Sequence, residues 1–233
     1  MYIAIEGIKG TGKSTLLKTL TPYLKTYCDS KQQCLAILQP TKPIPHGSYL
    51  EHDFAQQQSN DTYIRALYAE RSNYHAARTD WNSDLIISDR SILTSLAVRW
   101  HDAIQDNLSP SEHYQQVRRQ ECLIAIPDIV IQLDTPNAIL LERYAQRNRQ
   151  YGQHEETMAS VITMKNNYID LFDWLRSTQT TYLLGKSIHL YRYDTAIVSV
   201  QSICQEIMAM IEQYFAKINS EFLLKNQYSL MQQ

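Results

Sequence analysis

Gly7-Ile8-Lys9-Gly10-Thr11-Gly12-Lys13-Ser14 follows directly on the short apolar run Tyr2-Ile3-Ala4-Ile5. The octet is a complete G-x-x-x-x-G-K-[ST] loop. Its spacing lets backbone amides wrap a polyphosphate, brings Lys13 to the β and γ phosphates, and offers the Ser14 hydroxyl to Mg²⁺. Past Thr15, the residues Leu16, Leu17, Leu20, Tyr23, Leu24 and Tyr27 form the apolar stripe of an amphipathic helix. Strand, loop and helix thus stand in the order that aims a helix N-terminus at phosphate. Gly7 through Thr15 are the expected nucleoside triphosphate site, and the loop by itself leaves open whether a kinase, motor, switch or carrier uses the phosphate.

Working outward, β-rich runs recur at Tyr2–Ile5, Cys34–Leu38, Leu85–Ser88, Ile129–Leu133 and Ile188–Tyr193, with helical patterns between them. That alternation predicts a doubly wound α/β fold of the P-loop NTPase type, a five-stranded parallel sheet with helices on both faces. Ser109-Pro110-Ser111-Glu112 and Thr135-Pro136 mark helix starts. Helices are expected over Asp61–Arg78, over Met158–Leu175, and from Val200 onward, whereas Pro22 should kink the first helix or end it early. A chain of 233 residues with 44% hydrophobic content fits one domain over 1–216, with a lid near 147–155 and a polar tail over 217–233.

Composition narrows the partners. A net charge of −2 gives no global attraction to nucleic acid or anionic lipid. Apolar runs fall short of the ~20 residues that span a bilayer, and the first strand begins at once, so a cytoplasmic protein is expected. Cys28, Cys34, Cys122 and Cys204 are scattered without metal-ligand spacing, which suits reduced thiols. Small nucleotides are the expected partners.

In an open parallel sheet, ligands gather beyond the carboxyl ends of the strands. There Asp89 is the candidate to hold Mg²⁺ through water, beside Ser14, and Arg90 to grip an anionic substrate. Glu6 can orient the metal shell or pair with a neighbouring cation. Arg143, Arg147 and Arg149 precede a polar stretch; Arg147 and Arg149, with Arg143 third, are the candidates for a lid that closes positive charge over the transferring phosphoryl group.

These pieces together resemble the thymidylate kinases over about residues 1–215. Ile5 through Ser14 is similar to that family's phosphate loop, and Pro40-Thr41 through Pro45 and Gly47 to its substrate loop. Tyr68-Ala69-Glu70-Arg71 resembles the helix segment whose arginine contacts the acceptor base. Ile87-Ser88-Asp89-Arg90 with Ser95-Leu96-Ala97, and Pro127 through Pro136, follow in the family's order. The resemblance implies phosphorylation of a nucleoside monophosphate, with dTMP giving dTDP, by ATP and Mg²⁺, in a homodimer. It carries acceptor binding onto Gln39, Pro40, Leu67, Arg71, Arg90 and Ser95. Four positions depart from the pattern: Lys9 replaces an acid, Gln39 stands in a loop that lacks the usual arginine, Leu67 replaces a stacking aromatic, and Val98 replaces a tyrosine. A deoxynucleoside kinase is the nearest alternative, but it needs a general base after the second strand, and the carboxamide of Gln39 cannot take a proton. A regulatory nucleotide-binding domain with little transfer activity is the third reading.

Overall fold

A computed structural model describes residues 1–57, 60–147 and 156–230, with 219 and 221–230 as backbone. Strand β1 (Tyr2–Glu6) leads through the glycine loop into α1 (Lys13–Lys31) and β2 (Leu35–Leu38). Helices α2 (Tyr49–Asp53) and α3 (Asp61–Ala76) precede β3 (Leu85–Asp89). Then come α4 (Ile92–Val98), α5 (Trp100–Gln105), α6 (Pro110–Gln120) and β4 (Ile129–Asp134). Helices α7 (Asn137–Arg147), α8 (Met158–Leu175) and α9 (Thr178–Leu184) lead to β5 (His189–Asp194) and α10 (Val200–Leu230).

The five strands are all parallel in the order β2-β3-β1-β4-β5. Alternation along β1 divides the interior. Ile3 and Ile5 join Leu85, Ile87 and Ile131 under α1 and α10, where Leu16, Leu20, Leu24, Ile203 and Ile207 pack. Tyr2 and Ala4 face the other way, with Ile86 and Val130, against Leu93 and Leu96 of α4, Leu140 of α7, and Tyr168 and Leu171 of α8. The central strands β1, β3 and most of β4 are therefore covered on both faces, as parallel sheets require, while the edge strands β2 and β5 stay partly exposed.

This order sets where a ligand can enter. From β1 the chain crosses to β2 on one side, and from β3 it crosses back over β1 to β4. The connections diverge at the carboxyl ends of β1 and β3, where Ile5 pairs with Asp89, and such divergence opens a crevice.

Helix α1 corrects one expectation, because it runs unbroken through Pro22 to Lys31. An interior proline costs about 3 kcal/mol. Burial of Leu16, Leu17, Leu20 and Leu24, each stabilising by about 1.5–3 kcal/mol, outweighs that cost. The Ser109 start of α6 has the expected capping box, with Ser109 Oγ accepting from the Glu112 amide and the Glu112 carboxylate accepting from the Ser109 amide. Residues from 217 continue α10 as helix as far as Leu230. Helices α2, α4, α5 and α9 were not anticipated; each has seven residues or fewer, too short for a 3.6-residue period to register. No helix among the described residues is long and apolar enough to cross a membrane.

Candidate active site

The loop after β1 turns on its glycines. Gly7 adopts φ 135°, and a Cβ there would lie 2.2 Å from the Leu133 carbonyl oxygen, so only glycine lets the loop pass the end of β4. Gly12, at φ 98°, is the N-cap of α1 and makes no side-chain cap. The loop's carbonyls are held by side chains. Thr11 Oγ1 and Lys13 Nζ donate to Ile8 O at 2.9 and 2.8 Å, Tyr144 OH to Lys9 O at 2.6 Å, and Arg143 to Gly10 O at 2.9 Å. A loop whose carbonyls are engaged in this way presents its N–H groups, with the helix N-terminus, to an anion. Burial first, and then the Arg90 guanidinium, hold the Lys13 ammonium well below the usual lysine range. A phosphate beside it would restore the charged form.

Ser14 Oγ donates to Asp89 Oδ2 at 2.6 Å, so hydroxyl and carboxylate from β1's loop and β3's end meet at the crevice. Among the described residues no cluster of three or more His, Cys, Asp or Glu could cage a metal. Mg²⁺ needs none: it keeps water and phosphate oxygens and takes one or two hard oxygens from protein, which Ser14 and Asp89 offer.

Glu6 forms no ion pair within 4 Å among the described residues. It is fully buried, and its carboxylate accepts from Ser91 N at 2.8 Å, Ser91 Oγ at 2.7 Å, Thr94 Oγ1 at 2.7 Å and Tyr168 OH at 2.9 Å. One acid thereby ties β1 to α4 and α8. The link matters for Arg90, which lies between these elements at φ 77°, a region costly for a side chain with a Cβ. Its backbone N–H is held by Ile5 O at 2.9 Å, and its guanidinium reaches Thr94 Oγ1 at 3.3 Å and Gly7 O at 3.5 Å. Burial works against its charge, yet Tyr168, Glu6 and Asp89 together keep Arg90 above its ordinary range. It forms no ion pair within 4 Å among the described residues.

Arg90 opens onto a cavity of about 400 Å³. Ile8, Lys9 and Thr94 line its phosphate-loop end, Ile64, Arg65 and Tyr68 of α3 one wall, and Val161 and Met164 of α8 another. Ser95, Val98, Arg99 and Asp102 complete it. Apolar walls with a few charged ends suit a flat heterocycle attached to an anion.

The anticipated acceptor residues divide. Arg90 and Ser95 line the cavity; Gln39 and Pro40 do not, and Thr41 does so in their place. Leu67 is wholly buried. One residue turns a helix by about 100°, so Tyr68, in step with Ile64, takes the cavity face instead. Arg71 is also turned elsewhere. Glu51 of α2 binds it through two hydrogen bonds of 2.5 and 2.6 Å, and it stacks between Phe54 and Tyr68. Burial pushes Glu51 upward, but the bonds from Arg71 and the Ile44 amide outweigh it and leave the carboxyl below its usual range. Arg147 ends α7, exposed, with its charge felt at Lys13. Arg143 braces Gly10, and Arg149 lies outside the described residues. Arg99 and Asp102 went unread in the sequence, although Ser95, Val98, Arg99 and Asp102 have the i, i+3, i+4, i+7 spacing of one helical face.

A phosphate loop at a helix N-terminus, a hydroxyl–carboxylate pair and a cavity beyond Arg90 are the features of a P-loop phosphotransferase. The chain belongs to the thymidylate kinase family, whose model matches residues 5–184. It is thus an ATP-dependent kinase of the nucleoside monophosphate type. Among relatives, it is 27% identical over 184 residues to a probable thymidylate kinase of Methanospirillum hungatei, covering 74% of this chain and 81% of that one. A thymidylate kinase of Leptospira interrogans is 26% identical over 176 residues, covering 72% of this chain and 79% of the relative. Among solved structures, a deoxyadenosine kinase from M. mycoides with bound dCTP aligns with a TM-score of 0.58 at 18% identity, over 91% of this chain and all of that one. That last likeness concerns the fold alone.

Proposed function

We propose that the chain transfers the γ-phosphoryl group of ATP directly to the phosphate of a nucleoside monophosphate, with dTMP as acceptor and Mg²⁺ as cofactor, in a cytoplasmic homodimer. The single observation behind the choice of a phosphate acceptor is Arg90: a guanidinium at the junction of both sites that, among the described residues, is bonded to the neutral oxygens of Gly7 and Thr94. Such a group matches an anion in fork geometry. A nucleoside acceptor would need a base to take the hydroxyl proton. Gln39 supplies none, and Asp89 is engaged by Ser14.

In this reading Lys13 and the loop amides hold the donor phosphates, while Arg90 holds the acceptor phosphate in line with them. Ser14 and Asp89 hold Mg²⁺, whose charge neutralises phosphate oxygens during transfer. Tyr68 and Val98 flank the base and sugar, and Arg147 and Arg149 add positive charge over the transferring group. The work of the protein is positioning and charge neutralisation, with no covalent intermediate.

A parallel turnover assay with ATP, Mg²⁺ and each nucleoside or nucleoside monophosphate tests the proposal. Greatest kcat/KM with dTMP supports it. Turnover of nucleosides alone would establish the deoxynucleoside kinase reading, and ADP release that no acceptor stimulates would establish the regulatory one. Size-exclusion chromatography with light scattering tests the dimer.

A further inference from the structure

Glu121 follows directly on α6 and is a buried acid that the phosphoryl transfer proposed above does not use. It is 1% exposed. Its carboxyl lies against the hydroxyls of Ser95 on α4 and Ser72 on α3, and Oε1 completes no hydrogen bond among the described residues. Two cations face it, Arg99 from the junction of α4 and α5 and Arg118 from α6. Neither pairs with it within 4 Å among the described residues. Arg99 donates to Gln120 Oε1 at 3.0 Å and Arg65 O at 3.3 Å, and Arg118 to the carbonyls of Glu121 and Ile124. An ionised carboxylate in such a place is poorly compensated. Burial accordingly drives the Glu121 carboxyl above its usual range, against the pull of both serines and both arginines. Ser95 also lines the cavity beyond Arg90, between Thr94 and Val98 of the same helix. Glu121 thus stands one hydroxyl behind the cavity wall.

We infer that Glu121, as a neutral acid, is a positioning residue that fixes the direction of the Ser95 hydroxyl and so selects an acceptor base bearing a carbonyl over one bearing an amine. This inference deepens the function proposed above and rests on it. A protonated carboxyl has one O–H to give, and a serine hydroxyl has one proton and two lone pairs. With Glu121 donating to Ser95 Oγ, the Ser95 proton is left for the cavity. There it donates to a carbonyl oxygen, whereas an amine meets it proton to proton. An ionised Glu121 would reverse the order, taking the Ser95 proton and leaving lone pairs that favour the amine. The oxo base of dTMP is therefore matched, and its amino counterpart leaves a donor unpaired on each side.

Initial-rate kinetics with dTMP and 5-methyl-dCMP, which differ only at the oxo or amino edge of the ring, test this. Glu121→Met should lower the ratio of kcat/KM for dTMP to that for 5-methyl-dCMP about fivefold. The loss should come through KM for dTMP, with KM for ATP within about twofold of wild type. Ser95→Ala should lose as much, and the double variant Glu121→Met/Ser95→Ala no more than either, because both changes act on one hydroxyl. Glu121→Gln, whose amide N–H donates in place of the acid, should keep most of the preference. Infrared spectra at pH 7 should show a protonated-carboxyl band in the wild type that Glu121→Gln lacks, a readout that stands even where Glu121→Met does not fold. Additive losses, losses shared with ATP, a ratio that rises in Glu121→Met, or the absence of that band overturns the role of Glu121 while the wild-type enzyme still phosphorylates dTMP. Wild-type protein that turns over no nucleoside monophosphate overturns the proposed function, and this inference with it.

Discussion

Arg90 combines a left-handed backbone, φ 77°, with a guanidinium whose hydrogen bonds here are to neutral oxygens. The backbone carries a steric cost, and the buried charge carries a further one unless an anion completes the site. Arg90→Ala should therefore raise KM for the acceptor monophosphate by about tenfold or more while leaving KM for ATP within about twofold, as read from initial rates. A larger effect on ATP would move Arg90 to the donor side. Lys13→Ala should instead lower kcat by about 10²–10³-fold, since it removes a charge aimed at the transferring group; unchanged kcat would sink the donor assignment. Arg71 was carried to the acceptor by the family resemblance, and nothing in the local sequence announces that Glu51, twenty residues away, binds it here.

At the scale of elements, α6 packs through His113, whose ring N–H donates to Leu96 O, 3.0 Å away, and meets Trp100 edge-on. Burial first, then Arg99 and Arg65, hold His113 below the usual histidine range, against the opposing bond to Leu96. The sign follows from linkage: as pH falls, the unfolded chain takes up its proton near about 6.5 and the folded chain only lower. The contribution is complete above that value and is lost as pH falls through the folded pKa. The melting temperature should fall more steeply between pH 7.5 and 5.5 in the wild type than in His113→Gln. Parallel slopes would remove His113 from the acid response. Legibility also differed by element. Helix α8 has the bounds expected from its apolar period, and α1 has its expected start. The continuation of α1 past Pro22 depends on partners in β1 and α10 that its own residues do not reveal.

For the whole molecule, the proposed donor and acceptor sites lie at the ends of β1 and β3, neighbours at the centre of the sheet. A ligand seated there contacts elements from both faces and binds only the folded chain. ATP with Mg²⁺ at ~100 times its Kd should stabilise the fold by ~2.7 kcal/mol. For a chain of this length that corresponds to a rise of about 5–10 °C in Tm by scanning fluorimetry, absent in Lys13→Ala. No rise in the wild type would contradict a preformed donor site.

The phosphate loop, the five strands and the parallel sheet could be read from sequence because each depends on neighbours in the chain: glycine spacing, alternation, and the strand–loop–helix order. The meeting of Ser14 with Asp89 was foreseen by the same logic, since strand ends in such a sheet converge. Only the tertiary structure decided which side chains face the acceptor cavity. Tyr68 there in place of Leu67, Arg71 held by Glu51, and Lys9 drawn to Glu156 all depend on helix rotation and on charges distant in sequence. Local chemistry shapes the phosphate loop, whereas the cavity beyond Arg90 is built by α3, α4 and α8, the last two tied together by one buried acid, Glu6.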